Sequence, residues 1–179
     1  MIINKTSFKG LKLIKGKIYY DTRGFFKEIF KKNKIKSHNP IFWCMSKSKK
    51  NVLRGLHLQT RDSQEKFVSV IKGRILDVVL DLRKNSKTFG KHFKIMLSEK
   101  NATSLLIPAG FAHGFLGLEN ENIILYSNSN YRSKKSETGI MWNDKKLKIN
   151  WPKKKFIISR KDRNNLSFDD YCRKNKLVK

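Results

Sequence analysis

Between Phe67 and Tyr126 the apolar residues come in short runs of strand length, each closed by a turn signal. Phe67-Val68-Ser69-Val70-Ile71 is β-branched and aromatic, and Lys72-Gly73 reads as a tight turn. The stretch Ile75 to Leu82 alternates, with Leu76, Val78, Leu80 and Leu82 on one face and Ile75, Asp77, Val79 and Asp81 on the other. His92 to Leu97 alternates as well, with Phe93, Ile95 and Leu97 on one side. Leu105-Leu106-Ile107 runs into the turn Pro108-Ala109-Gly110, then into Phe111 to Leu118, and Ile123 to Tyr126 forms a further strand. Short, closely spaced strands with turns between them specify an all-β sandwich or barrel. Helical periodicity is confined to Ser167–Lys176, where Ser167 can cap a short helix. A Gly-rich phosphate loop of the Rossmann or Walker type is absent, which argues against a doubly wound nucleotide fold.

A chain of 179 residues suits a single domain covering residues 1–179, since domains cluster at about 100–150 residues. It is long enough to bury a core without staples. Two cysteines, Cys44 and Cys172, cannot make a disulfide scaffold. No apolar run reaches the length of a membrane span, and Met1-Ile2-Ile3-Asn4-Lys5 lacks the apolar core of a signal peptide. A cytoplasmic globular protein, with no membrane partner, is the expectation. The 41 Lys+Arg against 14 Asp+Glu leave a net charge of +27, which invites a polyanion partner. Yet the basic residues are spread in pairs and triplets from Lys31-Lys32 to Lys153-Lys154-Lys155, the pattern of a solvated surface. No specific nucleic acid is expected. A basic, non-catalytic β-barrel that binds polyanions is the competing class.

Two of the four histidines lie in apolar strands: His57 in Val52-Leu53-Arg54-Gly55-Leu56-His57-Leu58-Gln59, and His113 in Phe111-Ala112-His113-Gly114-Phe115. Either alone would suit a core histidine satisfied by a hydrogen bond; together they suggest an interior site. No His-x-His or Cys-x-x-Cys occurs, so neither a metal nor another cofactor is expected. A Gly-x-Ser-x-Gly elbow is also missing.

An ordered set of longer motifs then stands out. It comprises Asp21-Thr22-Arg23-Gly24-Phe25-Phe26-Lys27-Glu28, Val52-Leu53-Arg54-Gly55-Leu56-His57, Gln64-Glu65-Lys66-Phe67-Val68 and Gly73–Arg83. Further on come Ile107–Phe115, Leu125-Tyr126, Trp142-Asn143-Asp144, Ile149-Asn150-Trp151-Pro152 and Ile158-Ser159-Arg160-Lys161-Asp162. In content and order this set resembles the dTDP-4-dehydrorhamnose 3,5-epimerase family over nearly the whole chain. The resemblance implies a jelly-roll (cupin) β-barrel, a homodimer, no metal, and a nucleotide-diphosphate sugar as substrate. It implies His57 as the base, Asp162 as the carboxylate orienting it, Lys66 as the stabiliser of the enolate oxygen and Tyr126 as the opposed acid. Arg23 and Arg54 would meet the diphosphate; Phe26, Glu28, His113, Glu137 and Lys161 complete the implied substrate contacts.

The chemistry calls for such groups. Protons at C3 and C5 of a 4-keto sugar are acidic because both carbons flank the carbonyl. Inversion needs a base on one face, an acid on the other and a donor at the enolate oxygen. Two points are open from sequence. Arg54 and His57, three apart, would point to opposite faces of an ideal strand unless Gly55 hosts a bulge. The family's usual Gln-x-Asn is replaced by Phe42-Trp43-Cys44, which leaves open the sugar, the nucleotide and inversion at only one centre.

Overall fold

The Lys72-Gly73 turn takes the chain from one sheet to another, and the Pro108-Ala109-Gly110 turn does the same. The computed structural model describes residues 1–152 and 155–177, so Lys153 and Lys154 of the basic runs lie outside the described residues. In chain order the strands are β1 (Ile2–Lys5), β2 (Lys12–Lys15), β3 (Ile18–Asp21), β4 (Gly24–Lys27), β5 (Phe42–Ser48), β6 (Leu53–Gln59) and β7 (Lys66–Lys72). There follow β8 (Arg74–Asp81), β9 (His92–Ser98), β10 (Thr103–Ile107), β11 (Phe111–Gly117), β12 (Asn122–Asn128) and β13 (Glu137–Gly139). One antiparallel sheet has the order β1-β2-β10-β7-β12-β5, the other β13-β6-β11-β8-β9. The chain crosses between them after β5, β6, β7, β9, β10, β11 and β12, and the product is a jelly roll, as the family resemblance implied. At the crossing from β7 to β8, Gly73 has φ +80°, and a Cβ there would lie 2.2 Å from the Glu121 carbonyl oxygen.

Alternation divides the apolar residues into three layers. Val68, Val70, Ile75, Val79, Leu105, Phe115 and Ile124 fill the space between the sheets. Their neighbours Phe67 and Leu106 point out of the first sheet onto Ile14 and Ile35. Val78, Leu80, Ala112 and Leu116 point out of the second sheet onto Leu147, Trp151, Tyr171 and Cys172 of the C-terminal segment. Both faces of β8 and β11 are therefore covered, which explains why these strands read as near-continuous apolar runs. Among the described residues two short helices follow, α1 (Arg160–Arg163) and α2 (Phe168–Lys174). Ser167 caps α2 as its sequence position predicts, its hydroxyl accepting from the Asp170 N–H at 3.0 Å.

Asp81 closes the β8–β9 connection. Its fully buried carboxylate accepts from Arg83 Nε and Nη2 at 2.8 and 2.7 Å and from the Ser86 and Thr88 hydroxyls at 2.6 Å each. Burial works to raise its pKa, but these donors outweigh it and hold the carboxyl at about 2. A lowered folded-state pKa contributes stability that is complete above the unfolded value near 4 and fades as pH falls towards 2. Asp81 is accordingly expected to add about 2 kcal/mol to the acid limb of unfolding. An Asp81→Asn variant should lose that much less stability than the parent between pH 4 and 2 in acid-denaturation curves. Superimposable acid limbs would contradict this.

Candidate active site

The face of the first sheet that looks inward carries three cross-strand rows. Lys66, Asn128 and Phe42 lie side by side on β7, β12 and β5; next come Val68, Tyr126 and Cys44; then Val70, Ile124 and Ser46. From the second sheet, the paired strands β6 and β11 bring His57 and His113 opposite each other. These two walls enclose a cleft of about 750 Å³, lined by His57, Lys66, Tyr126, Asp162, His113 and Arg54, with Glu137 and Lys161 at its margin. Eight of the eleven residues implied by the family resemblance thus meet in one place.

The geometry of β6 settles the Arg54–His57 question. His113 and Phe115 of β11 pair with His57 and Arg54, so β6 spends three steps where β11 spends two. The extra residue is a bulge at Gly55, whose φ is +112°. A Cβ at Gly55 would stand 2.6 Å from Gly114 Cα and 2.7 Å from the His113 carbonyl oxygen, so only glycine fits. The bulge re-phases the strand. Leu53 keeps its place in the outer cluster with Leu56 and Leu58, while Arg54 and His57 both reach the cleft.

Asp162 comes from 105 residues further along the chain and is 3% exposed. It occupies the first turn of α1, where its own N–H donates to the Ser159 hydroxyl at 3.0 Å. Its Oδ1 lies 2.7 Å from His57 Nε2, and its Oδ2 accepts the Gly55 N–H at 3.1 Å. Burial opposes the charge on Asp162, but the His57 hydrogen bond and the Gly55 amide overcome it and hold the carboxyl below its ordinary range. A carboxylate on Nε2 fixes that nitrogen as the N–H, leaving the Nδ1 lone pair to act as a base. Nδ1 has no hydrogen-bond partner among the described residues.

Burial pushes the Lys66 ammonium below its usual pKa, with the charge of Glu137 partly offsetting the effect. Burial likewise pushes the Tyr126 phenol up, so it is a neutral proton carrier across the physiological range. Its oxygen lies 3.0 Å from the Ser46 hydroxyl. Arg54 is anchored to β5, Nε donating to the Ser48 hydroxyl at 3.0 Å and Nη2 to the Lys47 carbonyl at 3.1 Å. His113 Nε2 lies 2.8 Å from Asp77 Oδ2, and both side chains are buried. At the margin, Glu137 accepts from Arg132 at 2.8 Å and from Lys161 at 2.7 Å. Among the described residues, no cluster of three His, Cys, Asp or Glu could hold a metal ion.

Arg23, Phe26 and Glu28 do not join this cleft. They belong to or follow the β3–β4 hairpin, whose strands pair with no other strand among the described residues. Arg23 there pairs with Asp21 in solvent, and Glu28 pairs with Lys31. Phe42 and Cys44 do line the cleft, whereas Trp43 between them faces outward and is 47% exposed. The motif departure therefore falls on the cleft wall itself. Ser46 and Arg132 were not anticipated, because nothing distinguishes a serine or an arginine in a chain so rich in both polar and basic residues. Asp77 carried a signal: a carboxylate set between Leu76 and Val78 in an apolar run requires a buried partner.

A family model described as dTDP-4-dehydrorhamnose 3,5-epimerase matches residues 5–170. The dTDP-4-dehydrorhamnose 3,5-epimerase of Shigella flexneri is 39% identical over 176 residues, 95% of this chain and 97% of that one. Among solved structures, dTDP-6-deoxy-D-glucose-3,5-epimerase of Legionella pneumophila in complex with dTDP-4-keto-L-rhamnose superimposes with a TM-score of 0.90 at 37% identity, covering 94% of this chain and 93% of its own. The dTDP-4-dehydrorhamnose 3,5-epimerase of Bacillus anthracis with TDP and PPi bound gives 0.89 at 37%, covering 93% and 99%.

Proposed function

The chain belongs to the dTDP-4-dehydrorhamnose 3,5-epimerase family, and from that premise we propose that it inverts C3 and C5 of dTDP-4-dehydro-6-deoxyglucose to give dTDP-4-dehydro-L-rhamnose. The observation that carries this reading is the opposition of two proton carriers: His57, backed by Asp162, on one sheet and Tyr126 on the other, both in the cleft that Lys66 lines. His57 Nδ1 takes the α-proton, and the C–H electron pair moves into the ring as an enolate. The negative O4 is held by the Lys66 ammonium. Tyr126 then delivers its phenolic proton to the opposite face of the same carbon, and the carbonyl re-forms. Arg54 supplies a guanidinium for the diphosphate, and His113 a hydrogen-bonding group for the substrate. No step uses a metal or a cofactor.

The test is incubation with the 4-keto-6-deoxy nucleotide sugar in D₂O, followed by NMR. Deuterium and inversion at both C3 and C5 are expected. Inversion at one centre alone would favour a single-centre epimerase, the reading that Phe42 and Cys44 on the wall suggest. Neither exchange nor inversion would return the chain to the class of binding barrels.

The functional unit in this reading is a homodimer. Tyr20, Phe25 and Phe26 of the β3–β4 hairpin are 70, 58 and 66% exposed, and a two-stranded hairpin with such a surface is not stable alone. A second copy would cover these rings and bring Arg23 and Phe26 to its cleft. Replacing Phe25 and Phe26 by serine should yield a monomer in sedimentation and remove most activity. A wild-type monomer of full activity would overturn the dimer. Cytoplasmic residence suits the two free thiols, Cys44 and Cys172.

A further inference from the structure

Tyr126 has a proton to give but needs help to give it. Its side chain is partly buried in the cleft wall, where a bare phenolate is unfavourable because burial opposes the charge. Among the described residues, its hydrogen-bond partner is Ser46 Oγ at 3.0 Å. Ser46 stands on β5 opposite Ile124, diagonally across from Tyr126 on the same inward face. Among the described residues its hydroxyl bonds no other side chain or backbone group, which leaves it free to rotate.

We propose that Ser46 is the positioning residue of the proton-donating half of the reaction. This rests on the reading of Tyr126 as the acid. The Ser46 hydroxyl donates to Tyr126 Oη, which turns the phenolic proton away from β5 and towards the sugar. When that proton leaves, the same O–H donates to the phenolate. The bond is neutral in the ground state and charge-assisted after transfer, so it strengthens as the transition state is reached. It plays no part in proton abstraction, which belongs to His57 on the facing sheet.

The inference separates two rates measured in one NMR experiment in D₂O. Ser46→Ala should slow inversion by about 10- to 100-fold, the effect of one hydrogen bond to a charged group. Deuterium wash-in with retention should keep its wild-type rate and KM, since His57 still removes and returns protons on its own face. Ser46→Thr and Ser46→Val form a second pair of equal shape that differ in the hydroxyl; threonine should restore inversion and valine should not. Normal inversion in Ser46→Ala overturns the proposal. So does an equal fall of wash-in and inversion, or a threonine variant as slow as the valine one. In those cases an active wild type leaves the epimerase reading standing. A wild-type protein that neither exchanges nor inverts would remove that reading, and this inference with it.

Discussion

Replacing His57 by alanine is expected to abolish both deuterium wash-in and inversion at C3 and C5. A positioned general base contributes about 10²–10⁴ in rate, and no enolate forms without one. In the proposed mechanism one imidazole serves both centres, so the loss should extend to both: Nε2 lies 2.7 Å from Asp162 Oδ1, and Nδ1 has no hydrogen-bond partner among the described residues. Asp162→Asn should slow exchange and inversion together, because it weakens the base without removing it. An asparagine can keep the Gly55 N–H but does not stabilise the imidazolium. Wash-in at the wild-type rate in His57→Ala would remove His57 from the role of base. His113, opposite it on β11, would be the next group to test.

Tyr126→Phe should have an effect of similar size on inversion and little on exchange. The ring stays and the cleft keeps its shape, but the proton on the far face is gone. His57 can still return a deuteron to the face it came from, so the 4-keto sugar should acquire deuterium with its configuration retained. A fall of about 10²–10⁴ in inversion with continuing wash-in is the expected signature. Normal inversion at both centres would show that the acid lies elsewhere, with Lys66 the nearest alternative. The same contrast distinguishes a catalytic cleft from a merely binding one, since a binding barrel would show neither process in any variant.

The two experiments depend on different kinds of information in the chain. The strands from Phe67 to Tyr126 were legible because burial on one or both faces writes itself as alternation or as a continuous apolar run. The short helix behind Ser167 was legible because its cap is local. Strands β1 to β5 were not. Lys12-Leu13-Ile14-Lys15 is too short and too basic to declare itself. The hairpin that bears Arg23 and Phe26 exposes the very side chains that patterning assigns to a core. α1 also escaped notice, as four polar residues have no periodicity to read.

The amino-acid order alone established an all-β chain, His57 and His113 as histidines set in apolar strands and, through the ordered motifs, the family and the residues expected to act, whereas the fully buried His38 carried no such signal. These are properties of side-chain chemistry and spacing along one dimension. Which of those residues share a site was decided by the fold. The Gly55 bulge turns Arg54 and His57 to one face only because β11 passes so close that no Cβ is tolerated there. Asp162 reaches His57 across 105 residues because the C-terminal segment packs over the outside of β6 and β8. Tyr126 and His57 line one cleft from different sheets because the chain changes sheets between them, and Tyr126 meets Ser46 because β5 and β12 pair in one register and no other. Each of these is a contact between distant parts of the chain. It exists only once burial of the apolar layers has fixed how the two sheets stack, so no local pattern could announce it.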